Sequence, residues 1–201
     1  MRKSVKTPCV GICSTVFGDE VCRGCKRFQY EVIEWNSFDD SEKRAVLDRL
    51  EALKILIMES KIEVFDATLL KQKLKHFKVR FDQDNDPLCW VFDLLRSGSE
   101  SIQDPKDFGF NLINDSVSNL SELKRIMEEE LFELSENNLQ NSKVDLAIND
   151  LEKLLKKHPN DSLASKAQYK LSSIYLNWKN DPEMGLKQLE VTLKNYDNSV
   201  H

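Results

Sequence analysis

Four cysteines stand within the first twenty-five residues as Cys9-x3-Cys13 and Cys22-x2-Cys25, and Cys89 is the only other in the chain. Each pair is close enough for both sulfurs to reach one ion, and the eight residues between the pairs form a loop short enough to bring them together. Thiolates at this density select soft or borderline metals, so the occupants they suit are zinc and an iron–sulfur cluster. A disulfide framework would accompany a secretory signal, whereas MRKSVKTPCVGIC is basic and has no apolar run of seven or more before Cys9. The expectation is a reduced, cytosolic protein in which Cys9, Cys13, Cys22 and Cys25 ligate one metal centre. Gly24 permits a tight turn that aims backbone N–H groups at sulfur. Arg23, Lys26 and Arg27 sit where they could offset the formal charge of −2 on a tetrathiolate zinc ion. The compact two-pair layout favours zinc slightly, and the same ligands would serve an iron–sulfur cluster.

TPCVGIC, VCRGCKR and EVIEWN, followed by a helix opening SEKRAVLDRL, resemble a family of small bacterial proteins known only as a domain of unknown function. The residues that carry the resemblance are Pro8, Cys9, Cys13, Cys22, Gly24, Cys25, Arg27, Glu31, Trp35, Arg44 and Leu50. Members are described as predicted iron–sulfur proteins, so the resemblance implies such a cluster and brings the two metals level. Longer members carry segments similar to CWVFDLLRSG and FELSE, which would extend the likeness to about residue 137. No activity comes with it.

Other chemistry is sparse. No Gly-rich phosphate loop, Ser-His-Asp set or paired-carboxylate motif occurs, which points away from an enzyme. Cys89 lies in the apolar run Leu88–Leu95, and the only histidines are His76, His158 and His201, so it reads as a buried small hydrophobe. Asp84-Asn85-Asp86-Pro87 is a turn that lacks the glycine and terminal glutamate of a calcium loop. Residues 66–81 hold Lys71, Lys73, Lys75, His76, Lys78 and Arg80, with the alternation Phe77-Lys78-Val79-Arg80-Phe81 predicting a half-buried strand. Such a strand could contact single-stranded nucleic acid, and so could Arg2, Lys3, Lys6, Arg23, Lys26 and Arg27. The acidic Asp82, Asp84 and Asp86 follow at once, and residues 101–141 hold nine Asp/Glu against three Lys/Arg, so any such binding is expected to be weak.

The elements that must position these residues are mostly helical. The chain has 201 residues, 40% of them hydrophobic, with six glycines and five prolines, a composition that favours long helices over a turn-rich β fold. Phe28, Val32 and Trp35 recur at helical spacing after Cys25, placing that cysteine near a helix N-terminus, with Trp35 packing the knuckle on the next helix. From Ser41, Val46, Leu50, Leu53 and Ile57 make one stripe. Leu120, Leu123, Met127, Leu131 and Leu134 make another, with Glu128-Glu129-Glu130 as its outer face. The polar stretch Asn137–Ser142 should break the chain into domains. Beyond it, AINDLEKLLKKHPNDS aligns with GLKQLEVTLKNYDNS at an offset of thirty-eight residues, pairing Ile148 with Leu186, Leu151 with Leu189 and Leu155 with Leu193. Residues 142–200 are similar to long tetratricopeptide repeats. There Ala147 marks a close helix crossing, and Leu151, Leu155, Leu171, Tyr175, Leu189 and Leu193 form the seam.

The expected fold is therefore mostly α: a four-cysteine metal knuckle with helices (1–61), a small α+β middle ending in a long helix (62–137), and a tetratricopeptide-like tail (142–201). Isolated repeats cannot bury both faces, so the tail should meet a protein partner or a second copy, through residues the sequence does not single out. The function this supports is a cytosolic metal-binding adaptor, with no membrane segment. The alternatives are an iron–sulfur redox or accessory protein and a nucleic-acid-binding zinc-knuckle protein.

Overall fold

In the computed structural model, residues 5–11, 13–113, 119–159 and 163–196 are described. The chain is mostly helical, with one two-stranded antiparallel sheet, and it divides into two compact units, Met1–Asn137 and Asn138–His201. No helix among the described residues is long and apolar enough to cross a membrane.

In the first unit, helix α1 (Gln29–Ile33) continues into the 3-10 turn Glu34–Asn36 and ends there. Helix α2 (Asp40–Met58) opens on a capping box. The Asp39 carboxylate accepts the N–H groups of Ser41 and Glu42 at 2.7 and 2.8 Å, and Glu42 accepts the Asp39 N–H in return. Val46, Leu50, Leu53 and Ile57 all lie on its buried face, as their spacing predicts. Trp35 packs against Val46 and Leu50 in a small cluster of its own.

Strand β1 (Ile62–Val64) precedes helix α3 (Ala67–His76), which the Asp66 carboxylate caps through Leu69 N–H at 2.9 Å. Lys73, Lys75 and His76 crowd the last turn of α3, where cations complement the helix dipole. The strand expected over Phe77–Phe81 is absent. The chain leaves α3 through Lys78, at a left-handed φ of 54°, and Val79 N–H returns to the Leu74 carbonyl at 2.9 Å. The extended backbone that follows is held by side chains: Trp90 Nε1 donates to the Asp82 carbonyl at 2.7 Å, and Arg80 reaches back to the N-terminal segment. Period-two alternation describes this stretch without giving it a ladder partner.

Helix α4 (Pro87–Gly98) starts at the predicted turn, with Asp86 accepting Leu88 N–H at 2.8 Å and proline in the first turn. It brings Val91, Phe92, Leu94 and Leu95 into the core beside Leu70, Leu74, Leu123 and Met127. After α4 the chain makes two 3-10 turns, Ser99–Ser101 and Pro105–Phe108, and leads into strand β2 (Phe110–Leu112). The ladder sets Ile62 opposite Leu112 and Val64 opposite Phe110. Gly109, at φ +84°, makes the approach possible: its carbonyl accepts the N–H groups of Phe65 and Asp66, and a Cβ there would stand 2.4 Å from the Asp66 oxygen.

Helix α5 (Leu120–Lys157) is 38 residues long and runs unbroken through residues 137–142, so the division into two units falls in the stretch the sequence marked but inside a helix, without the break in period expected there. Asparagine, glutamine and serine lower helix propensity by only tenths of a kcal/mol each, too little to stop a helix of this length. The second unit is built from the C-terminal part of α5, helix α6 (Ala164–Asn177) and helix α7 (Pro182–Tyr196), so the tail is helical as expected. Ile148, Leu171 and Ile174 form its buried cluster, with Val144, Leu151, Leu155 and Tyr175 partly buried against it. The paired repeat positions are not equivalent. Ile148 is buried whereas Leu186 is 58% exposed, and Leu193, assigned to the seam, is 64% exposed. Ala147 is exposed as well. The close crossing lies at Gly185, where an added Cβ would come within 2.5 Å of the Leu176 side chain.

Candidate metal centre

Residues 20–29 form a tight antiparallel turn that presents two of the cysteines. Cys22 N–H donates to the Arg27 carbonyl and Lys26 N–H to the Cys22 carbonyl, both at 2.8 Å, while Gln29 N–H closes the base on Glu20 at 2.7 Å. Val21 and Phe28 bridge across it and are buried. Lys26 turns the corner at a left-handed φ of 61°, an unusual conformation for lysine. Cys25 therefore lies in this turn, ahead of α1, and is not at a helix N-terminus as expected. The pull toward its thiolate form comes from Arg27, through the guanidinium and the backbone N–H of that residue.

The sulfurs of Cys13 and Cys22 are 4.0 Å apart. Burial pushes the Cys22 thiol up, but backbone N–H groups of Cys25, Ser14 and Gly24 and the neighbouring Cys25 side chain outweigh it and bring the value to about 7. Cys25 is pushed up by burial, against the pull of Arg27, whose Nε donates to its sulfur at 3.3 Å. Cys13 Sγ shares a 3.0 Å contact with the Thr15 hydroxyl. Cys9 Sγ accepts the Gly11 N–H at 3.5 Å. The carbonyls of Thr7 and Cys9 are held by Arg80 at 2.9 and 3.3 Å, which ties the first ligand segment to the chain beyond α3.

Cys13 is thus paired with Cys22, and Cys22 with Cys25, without all four closing around one point. Among the described residues, no group of three or more His, Cys, Asp or Glu side chains is arranged to hold a metal ion. The donor chemistry nevertheless fits a thiolate-bound group. A tetrahedral ion with zinc–sulfur bonds of about 2.3 Å holds its sulfurs about 3.8 Å apart, close to the Cys13–Cys22 separation. Arg27 is only 3% exposed, and its Nη1 has no hydrogen-bond partner among the described residues, so a buried cation faces the sulfurs with capacity to spare.

The residues predicted to compensate charge have divided roles. Of the three cations only Arg27 bonds a sulfur through its side chain among the described residues, and it also lies over the Trp35 ring at 4.8 Å. Gly24 contributes its N–H to Cys22, and its carbonyl accepts Arg96. Arg23 pairs with Asp19 at 3.0 Å and covers the Phe132 ring. Lys26 is buried and pairs with Glu128 at 2.5 Å; burial pushes its pKa down and the carboxylate resists. Glu128 also receives Arg96 at 2.9 Å. The acidic row read as a solvated face is therefore engaged: Glu128 docks the cysteine turn, Glu129 pairs with Arg125, and Glu130 with Lys61. Sequence reasoning missed Arg49, Arg96, Glu128 and Arg80. Arg49 Nη2 meets the buried Glu31 at 2.7 Å and stacks over Phe28 at 3.9 Å. Local pattern marks none of these four, because their partners stand eighteen to more than a hundred positions away.

Residues 7–54 match the family DUF1289, a protein family of unknown function. That segment spans both cysteine pairs, α1 and most of α2. The match ends before α4, and does not take in CWVFDLLRSG or FELSE. No curated protein and no solved structure was found to match the chain.

Proposed function

We propose that the protein is a metal-binding adaptor in which Cys9, Cys13, Cys22 and Cys25 hold one zinc ion or iron–sulfur cluster. The observation that carries this is the 4.0 Å separation between Cys13 Sγ and the sulfur of Cys22, on which the N–H groups of Ser14, Gly24 and Cys25 converge. The metal supplies folding free energy to the N-terminal segment, which has little apolar burial of its own beyond Val21, Phe28 and Trp35. The adaptor role rests on the second unit, where Trp178, Leu186 and Leu193 are each more than half exposed and offer apolar contacts to a protein partner or a second copy. A nucleic-acid role gains no such support, since Lys26 and Arg27 are buried and Arg23 is paired.

Metal and sulfide analysis of anaerobically purified full-length protein, read with its absorption spectrum, is the test. Stoichiometric zinc without colour identifies a structural ion. Iron and sulfide with visible charge-transfer bands identify a cluster and shift the function to redox or accessory work. Protein that holds neither and binds neither on reconstitution ends the proposal.

A further inference from the structure

The buried cations around the cysteine turn have few carboxylates close to them. On one side, Glu31, which is 3% exposed, is ion-paired with Arg49, and the Arg27 guanidinium acts on its carboxylate only through space. The Nη1 atoms of both arginines are buried without a partner among the described residues. On the other side, Lys26 and Arg96 share Glu128. Uncompensated buried charge is among the most costly features a fold can carry, and Arg27, 3% exposed with its Nη1 unpartnered among the described residues, calls for negative charge beside it. Its Nε, resting on Cys25 Sγ at 3.3 Å, shows where that charge belongs.

We infer that Arg27 and Glu31 are an opposed pair that sets the charge the cysteine centre must bear: Arg27 draws a dianionic tetrathiolate centre into place, and Glu31 limits that pull. Both zinc held by four thiolates and an oxidised four-iron cluster held by four thiolates carry −2, negative charge of the kind the Arg27 guanidinium lacks on its free side. A neutral or singly charged centre, with one thiol protonated or one ligand lost, leaves a guanidinium unanswered. The inference rests on the proposed metal centre and adds which residues fix its charge and ligand number.

Opposite signs make it testable. Full-length protein is titrated with cobalt(II), whose thiolate charge-transfer band counts bound sulfurs, and zinc affinity is measured by competition with a chelator. Arg27→Met is expected to weaken zinc binding about 10- to 100-fold, the usual range for an outer partner of a metal ligand, and to lower the charge-transfer intensity. Arg27→Lys retains most of the affinity. Glu31→Gln keeps acceptors for Phe28 N–H and Arg49 but removes the opposing charge, so it is expected to bind zinc more tightly than the wild type. If Glu31→Gln weakens binding alongside Arg27→Met, the pair serves packing and the inference is overturned, even should Arg27→Met fail to fold. Wild-type protein that develops no cobalt–thiolate band overturns the metal centre and the inference with it, whereas a normal wild-type band with same-sign variants overturns the inference alone.

Discussion

The two units are stabilised on different length scales. In the first, Phe92, Phe110, Leu70, Leu95, Leu123 and Met127 are buried together, although they come from residues 70 to 127. Ion pairs such as Lys26–Glu128, Lys61–Glu130 and Lys54–Asp93 join sequence-distant elements across the same unit. In the second, α6 and α7 form a hairpin turned at Asn180, at a left-handed φ of 51° that asparagine tolerates. Asp181 caps α7 through Met184 N–H at 3.0 Å, and the buried cluster is little more than Ile148, Leu171 and Ile174. The contrast teaches that long-range closure stabilises the first unit and sequence-neighbouring helices the second. Disturbance of the first should spread, and disturbance of the second should stay local.

The largest expected effect is on the cysteine turn. If the proposed metal centre exists, Cys13→Ser should release its metal and loosen residues 5–36, because structural metal binding is folding free energy on the order of 10 kcal/mol. Amide exchange should show that loss while α6 and α7 keep their protection. Full occupancy with unchanged melting would count against it. Next comes Phe92→Ala, which removes a wholly buried ring from the main core and should cost about 3–5 kcal/mol by denaturant melting.

Two glycines sharpen the comparison. Gly109→Ala would drive a Cβ into the Asp66 backbone oxygen and also force alanine into a left-handed φ, so a loss of about 2–4 kcal/mol is expected. Gly185→Ala meets chiefly the Leu176 side chain, which can turn aside, and should cost about 1–2 kcal/mol. A reversal of that order would show that the helical hairpin is the stiffer part. Ala147→Trp, at an exposed position, should change stability by less than about 0.5 kcal/mol.

The smallest effect concerns Cys89. Burial pushes its thiol to about 12, and its Sγ–H donates to the Glu51 carbonyl at 3.7 Å. Native protein at pH 8 should leave Cys89 unalkylated while metal-free Cys9 and Cys13, both partly exposed, react. Labelling of Cys89 ahead of them would mean that the first unit opens more readily than its core implies.

Much of this was legible in the chain. The stripe Val46-Leu50-Leu53-Ile57 and the apolar run Leu88–Leu95 fix α2 and α4 because helical period is a local property. The two cysteine pairs mark the candidate site for the same reason: chelate spacing is written over two to four residues. What the chain concealed is non-local. Glu128 looked solvated because its partners Lys26 and Arg96 lie far off in sequence. Phe77–Phe81 alternated like a strand, yet the β ladder formed between Ile62–Val64 and Phe110–Leu112, whose three-residue length carries almost no periodic signal. Gly185 and Ala147 are both small residues on helices, and only the packing of α6 on α7 decides which one a neighbour approaches.

The short ladder has a kinetic consequence. Pairing Ile62 with Leu112 closes a loop of about fifty residues, an ordering cost on the order of 3 kcal/mol before any contact repays it. Helices α3 and α4 can form inside that loop within microseconds, as can the α6–α7 hairpin. Closure at Gly109 is then the step that waits for everything else, and during that wait the apolar faces of α3 and α4 are open to other chains. A protein made faster than it can close this loop would be lost to aggregation from its first unit, with its C-terminal hairpin already in place.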